Sequence, residues 1–239
     1  MNIVVDIGNT SIKAGSFEKA SMNKKETFSS VPELQSFLAN QSIENLIVSS
    51  VKIDGNDLLP GITVTGKKLF LSTALPLPIV NKYTTPSTLG VDRIAAACGA
   101  LQLFPGENCL IIDAGTCINY EFINNKGEYL GGAISPGVRM RFDAMHHFTA
   151  KLPVAEALPD VPLTGDSTIA CLQSGVMNGV LEEIKGFMDR YQTGYPGVRV
   201  ILCGGDAHFF ENHLNPSIFV APDLVLMGLN SILLYNVTS

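Results

Sequence analysis

Asp6, Gly8, Asn9, Thr10, Ser11 and Lys13 fall within the short stretch "DIGNTSIK", and Asp113, Gly115 and Thr116 repeat the pattern as "DAGT" halfway along the chain. Glycine lets a backbone turn sharply and expose its N–H groups, and hydroxyl and amide side chains add neutral donors, so such a turn suits polyphosphate oxygens. Ionised aspartate only accepts hydrogen bonds; beside phosphates it makes chemical sense through a Mg²⁺ ion or that ion's waters. One Asp-x-Gly turn after a strand is common and carries little information. Two matched copies at half-chain spacing point to one nucleotide and its cations gripped from two sides. Neither copy is a P-loop, because GxxxxGK[ST] is absent.

A second constellation lies in "YTTPSTLGVDRIAAA", where Asp92 and Arg93 follow Gly90 and Val91 into the first turn of an expected helix. Backbone N–H groups and the helix dipole favour anions there, so a carboxylate and a guanidinium can hold an anionic substrate and accept a hydroxyl proton. The same residues also fit a plainer role, Asp92 stabilising its own helix N-terminus and Arg93 forming a solvated pair. "CGGDAHFF", after one strand and before an expected helix, reads either as a backbone that admits a flat ring or as a tight connection. His208 and His213 are spaced wrongly for a shared helical metal face and His146 and His147 are adjacent, so no zinc site is expected.

The elements that must position these groups follow from hydrophobic pattern. Residues 3–7 form an apolar, β-branched run that reads as a strand buried on both faces, with 11–17 as its hairpin partner. Residues 32–38 read as a helix, 45–51 and 68–71 as strands, 72–90 as a Pro- and Thr-rich loop, and 91–103 as a helix ended by "FPGEN". The order then restarts with strand 109–112, turn 113–116, strand 117–123, an "NNKG" turn and strand 129–134. Helices at 138–148 and 167–191, a strand at 198–202 and an apolar helix near 223–235 complete the chain. The repetition predicts a duplicated α/β protein with halves 1–105 and 106–239, its related turns facing each other across a nucleotide cleft.

Composition narrows the function. The 239 residues are 46% apolar and 16% charged, enough for large cores and a modestly charged surface, part of it hidden in an oligomer. A net charge of −6, with no basic run longer than Lys24–Lys25, argues against nucleic-acid binding. Five scattered cysteines without a CxxC pair fit reduced thiols in the cytoplasm rather than a disulfide framework. The first apolar run contains Asp6 and lacks a basic leader, and "LVLMGLNSILLYNV" is too short to span a bilayer, so neither a signal peptide nor a membrane segment is expected.

Taken in order and approximate spacing, "DIGNTSIK", "YTTPSTLGVDR", "DAGT", "GGAISPG" and "GDSTIACLQSGVMNG" resemble the type III pantothenate kinases, of the acetate and sugar kinase, Hsp70 and actin superfamily. The resemblance covers nearly the whole chain. It implies a homodimer of duplicated ribonuclease-H-like (actin-like) halves that transfers the γ-phosphoryl group of ATP to the primary hydroxyl of pantothenate, the first step towards coenzyme A. By the same resemblance Asp6, Ile7, Gly8, Asn9, Thr10, Ser11, Ile12 and Lys13 match the ATP phosphate loop, and Thr116 matches a further ATP contact. Asp92 matches the general base. Tyr83, Gly90, Val91, Asp92, Arg93 and Thr168 match pantothenate contacts, Thr168 completing a pocket at the dimer interface. Asp113 matches a ligand of the monovalent cation, potassium or ammonium, that the family needs. Where the family commonly reads DxGTxxTxD, this chain has "DAGTCINYE", with Asn119 and Glu121 in the threonine and aspartate positions. A kinase of another small molecule and a non-catalytic regulator are alternative uses of the scaffold; the retained acidic and phosphate-loop residues and the lack of a basic patch weigh against the regulator.

Overall fold

A computed structural model describes residues 1–50, 61–214 and 218–237. Val51, the last residue of an expected strand, lies outside them. The chain forms two compact units, one of Met1–Gly106, Ile123–Gly131 and Asp223–Ser239, the other of Glu107–Phe122 and Gly132–Pro222. The first break falls beside the expected division at 105/106. Residues 123–131 and 223–239, which the sequence reading assigned to the second half, cluster instead with the first unit.

In the first unit β1 (Asn2–Ile7), β2 (Ile12–Glu18), β3 (Ser21–Phe28), β4 (Asn45–Ser50) and β5 (Lys68–Phe70) form a sheet in the order β3-β2-β1-β4-β5. The hairpin pairs β1 antiparallel to β2, and β4 joins β1 in parallel. Ile3, Val5 and Ile7 of β1 share a core with Leu34 and Leu38 of helix α1 (Val31–Ala39). Strand alternation puts Val4 and Asp6 on the opposite face, the side taken by α2 (Val91–Leu103) and the apolar α5 (Leu224–Val237). These two helices touch through small residues: a Cβ on Gly228 would collide with the Ala95 carbonyl oxygen, and one on Gly99 would meet the Leu224 backbone. The N-terminus of α2, which carries Asp92, is thereby fixed against the rest of the unit.

The strand order recurs. β7 (Cys109–Ala114), β8 (Cys117–Ile123), β9 (Glu128–Pro136), β10 (Arg199–Cys203) and β11 (Phe219–Val220) follow the sequence β9-β8-β7-β10-β11, with β6 (Val80–Asn81) added beside the first residues of β9. Here β7 stands for β1, and β10 pairs parallel with it as β4 does with β1. This is the duplicated ribonuclease-H-like arrangement. Tyr120 and Phe122 of β8 pack with Phe142 of α3 (Val138–Phe148) and with Val176, Val180 and Ile184 of α4 (Thr168–Gly194). Helix α4 starts where Ser167 accepts a hydrogen bond from the Ala170 N–H at 3.3 Å.

Four elements depart from the sequence reading. β3, "SMNKKETF", escaped it because this edge strand is polar and largely exposed along its length. β6 is a two-residue strand inside a stretch read as a loop, and β11 is one in a stretch given no element. The helix expected after "CGGDA" is instead two short 3₁₀ turns, Ala207–Phe209 and Glu211–His213.

Candidate active site

Register brings the first group together. Asp6 pairs with Lys13 across the β1–β2 hairpin and with Ser49 across the parallel β1–β4 pair, so the three side chains stand on one face. The turn between the strands is closed by the Gly8 N–H donating to the Ser11 carbonyl at 3.1 Å. Asn9 and Thr10 are exposed at its tip. The side chains of Ile7 and Ile12 are buried in the core beside α1, which leaves only their backbone groups to meet a ligand.

Asp92, in the first turn of α2, is close enough to Asp6 for the two carboxylates to repel. Burial first, and that repulsion second, push the Asp6 carboxyl up to about 6; Ser49 and Lys13 pull the other way. Ser49 has no exposed surface. Its hydroxyl lies beside the Asp6 carboxylate without closing a well-formed hydrogen bond to any described group. Two crowded carboxylates and an under-used buried hydroxyl are the donor set of a hydrated divalent cation, whose charge would relieve the repulsion. The site therefore fits Mg²⁺.

Next along α2, the Asp92 carboxylate accepts the Arg93 backbone N–H at 2.9 Å, which fixes one of its oxygens. Arg93 is buried, with its guanidinium 5.5 Å from the centre of the Tyr83 ring, a cation–π contact. Tyr83 is held in turn by its N–H donating to Asn81 Oδ1 at 2.9 Å and by the close approach of Gly131. At φ +97° and with a Cβ position 3.0 Å from the tyrosine ring, Gly131 admits no larger residue without strain. Gly90 and Val91 lead into the helix half-buried. Carboxylate, guanidinium and phenol ring thus border one another, able to orient an acidic, hydroxylated small molecule.

In the second unit Asp113 is the penultimate residue of β7, and the Gly115 N–H donates to the Cys117 carbonyl at 3.0 Å. This turn is one residue shorter than its counterpart. Continuing the register from that bond sets Asn119 opposite Asp113, where the first copy sets Lys13 opposite Asp6. Two other turns grip the loop. Gly204, at φ +91°, brings "CGGD" so close that a Cβ would lie 2.5 Å from Asp113 Oδ1, while the Asp206 N–H donates to the Ala114 carbonyl at 2.9 Å. Burial raises the Asp206 carboxyl above its usual range, a rise that the neighbouring His208 only partly offsets. On the other side the Gly137 N–H donates to the Thr116 carbonyl at 3.2 Å, and a Cβ on Gly137 would lie 2.5 Å from that oxygen. Thr116 is exposed, as is Thr168 at the start of α4.

Among the described residues no cluster of three or more His, Cys, Asp or Glu side chains is arranged to hold a metal, and no helix is long and apolar enough to cross a membrane. Ser49 was not singled out from sequence, and Gly131 and Gly137 entered only as the ends of "GGAISPG", with no role given. The polar end of "NLIVSS" was the available signal for Ser49, because an otherwise apolar buried strand turns polar opposite Asp6.

Comparison with known proteins bears on family and fold. Residues 2–190 match the family model of the type III pantothenate kinases. A type III pantothenate kinase from Cytophaga hutchinsonii is 46% identical over 237 residues, covering 99% of this chain and all of that protein. Among solved structures, a Campylobacter jejuni protein described as a Baf family transcriptional activator is similar with a TM-score of 0.67 at 22% identity, covering 99% of this chain and 100% of that one. The Clostridium difficile activator of 2-hydroxyisocaproyl-CoA dehydratase, solved with bound ADPNP, is similar with a TM-score of 0.53 at 14% identity, covering 98% and 93%. At these identities the two structures bear on the fold alone.

Proposed function

This chain belongs to the type III pantothenate kinase family, and from that premise we propose that it phosphorylates the primary hydroxyl of pantothenate with ATP, supplying 4′-phosphopantothenate for coenzyme A synthesis. The observation that carries the reading is the cluster of the first unit, where Asp6, Lys13 and Ser49 share a face and Asp92 stands close to Asp6.

The turn at residues 8–11 offers backbone N–H groups and neutral side chains to the phosphates, and Lys13 adds one positive charge. Asp6, with Ser49 behind it, would hold Mg²⁺, directly or through water; when bound, that ion neutralises charge on the transferring phosphoryl group. Arg93 and Tyr83 orient the substrate, the guanidinium meeting its carboxylate. Asp92 accepts the hydroxyl proton as the substrate oxygen bonds to the γ-phosphorus and ADP departs. Thr116 touches ATP, and Thr168 touches pantothenate.

At the second turn Asp113 would hold a monovalent cation. Asn119 supports this: its own hairpin offers the Asp113 carboxylate a neutral amide where the first copy offers an ammonium. Exposed apolar residues of the second unit, among them Ile134, Phe148, Leu163 and Ile169, support a homodimer. Three buried thiols, Cys98, Cys109 and Cys203, none of them in a disulfide, support a reducing, cytoplasmic setting.

The test is ATP consumption by purified, folded protein with pantothenate and Mg²⁺, in potassium or ammonium and again with sodium alone. Turnover that needs pantothenate and collapses in sodium is expected. Turnover with another acceptor and none with pantothenate overturns the substrate; equal turnover in sodium overturns the cation at Asp113.

A further inference from the structure

Behind the second turn lies a polar network that the proposed reaction does not use. The Arg141 guanidinium makes three donations. Nε gives to the Pro136 carbonyl at 2.9 Å, and Nη2 gives both to Ser135 Oγ at 2.9 Å and to Glu183 Oε2 at 2.6 Å. Glu183 is held from its other side by the Tyr120 hydroxyl, which donates to Oε1 at 2.9 Å, and the Tyr120 ring stacks on Phe187 with centroids 3.9 Å apart. Burial raises the Glu183 carboxyl, but Arg141, Ser135 and Tyr120 together outweigh it, so the group stays ionised below its usual range. Four elements meet here: β8, the end of β9, α3 and α4.

The fork has a definite target. Ser135 and Pro136 immediately precede Gly137, whose N–H donates to the Thr116 carbonyl and whose missing Cβ lets it lie against the backbone of Gly115 and Thr116. Arg141 therefore grips the segment that forms the back wall of the second turn. A planar guanidinium fixes two acceptors at set angles, which a flexible ammonium does not. A buffer of this kind matters because displacing a contact in a phosphoryl-transfer site by about 1 Å costs about a hundredfold.

We propose that Arg141, oriented by Glu183 and Tyr120, is a positioning residue for the second turn: its fork on Ser135 and Pro136 holds Gly137 against Thr116, and so sets Asp113–Thr116 for the nucleotide and its monovalent cation. The functional part rests on the reading of that turn given above; the positioning part does not.

The experiment measures amide exchange and kinetics in Arg141→Gln, with Arg141→Lys and Tyr120→Phe as milder variants should the first fail to fold. Exchange at the Gly115 and Gly137 amides is expected to speed up about tenfold or more in Arg141→Gln and less in Arg141→Lys, while the amides of α1 in the first unit stay unchanged. The KM for ATP and the half-activating potassium concentration are expected to rise about tenfold, with the KM for pantothenate within about twofold of the parent. A purely structural arginine would lower the melting temperature and leave those two constants in place. Unchanged exchange at Gly115 and Gly137 in a folded variant overturns the proposal whatever the activity. Faster exchange with unchanged ATP and potassium constants overturns its functional half. A parent enzyme indifferent to potassium would instead refute the cation assignment of Asp113, and the exchange data would still decide the role of Arg141.

Discussion

Replacing Asp6 by asparagine should stabilise the protein while disabling it. Burial and the Asp92 charge hold the Asp6 carboxyl at about 6, against an ordinary value of 3.8. Well below pH 3.8 the group is protonated in folded and unfolded chains alike. Between 3.8 and about 6 the folded chain keeps a proton that the unfolded chain has lost, so stability falls as pH rises; above about 6 the penalty is constant. The shift corresponds to about 3 kcal/mol, and water reaching this half-buried residue reduces it to roughly 2 kcal/mol. In buffer free of metal and nucleotide, Asp6→Asn is expected to melt about 4–8 °C above the parent at pH 8. The gap should shrink by more than half at pH 4.5. Calorimetry at the two pH values, beside a turnover assay, checks both halves. A gap that ignores pH, or an asparagine variant less stable than the parent at pH 8, refutes the picture of two carboxylates in mutual repulsion.

Asp92→Asn should fold normally and lose roughly 10²–10⁴ in turnover, the usual worth of a general base; near-parental turnover removes Asp92 from that role. Tyr83→Ala frees the Arg93 guanidinium from its ring and should raise the KM for pantothenate about tenfold with the KM for ATP unchanged, read from steady-state kinetics. Gly228→Ala forces a methyl into the Ala95 carbonyl and should destabilise by about 1–3 kcal/mol in urea titration, with turnover falling too because α2 carries Asp92. Asn119→Lys places an ammonium opposite Asp113 and should make residual turnover equal in sodium and potassium; a variant still activated by potassium contradicts the pairing.

The sequence was most legible where one physical rule governed a stretch. β1 and β7 are apolar runs ended by Asp-x-Gly, and periodicity alone places both strands and both turns. α2 was legible from its helix formers, and Asp92 and Arg93 from their place in its first turn. The rest depends on partners distant in the chain. β3 has no apolar face to betray it, and β6 exists only because β9 offers it an edge. Residues 223–239 follow the second half in sequence, yet α5 packs on α2, and nothing local announces that Gly228 must meet Ala95. Ser49 acquires meaning only through a register that aligns it with Asp6. The Arg141 fork is invisible for the same reason, since its acceptors are one side chain and one carbonyl fixed by a turn, and a carboxylate 42 residues away.

Duplication explains why the two turns look alike, and turn length why they differ in geometry. Both strands β1 and β7 sit at the centre of the same strand order, so both deliver an aspartate to the end of a buried strand. The difference is made by one residue of turn length: Gly8 closes on Ser11, whereas Gly115 closes on Cys117. Shortening the second loop sets Asn119 at the place that Lys13 occupies in the first. The first copy therefore carries its own positive charge beside the phosphate-binding turn, and the carboxylate pair there calls for a divalent ion. On the reading proposed above, the second copy, with a neutral amide in that place, would take a weaker, exchangeable monovalent charge and compensate in rigidity. Gly204 and Gly137 close on it from two sides, and Arg141 holds the second of those walls. A site that relies on a loosely held ion gains most from a backbone that cannot move, because geometry must then supply what charge does not.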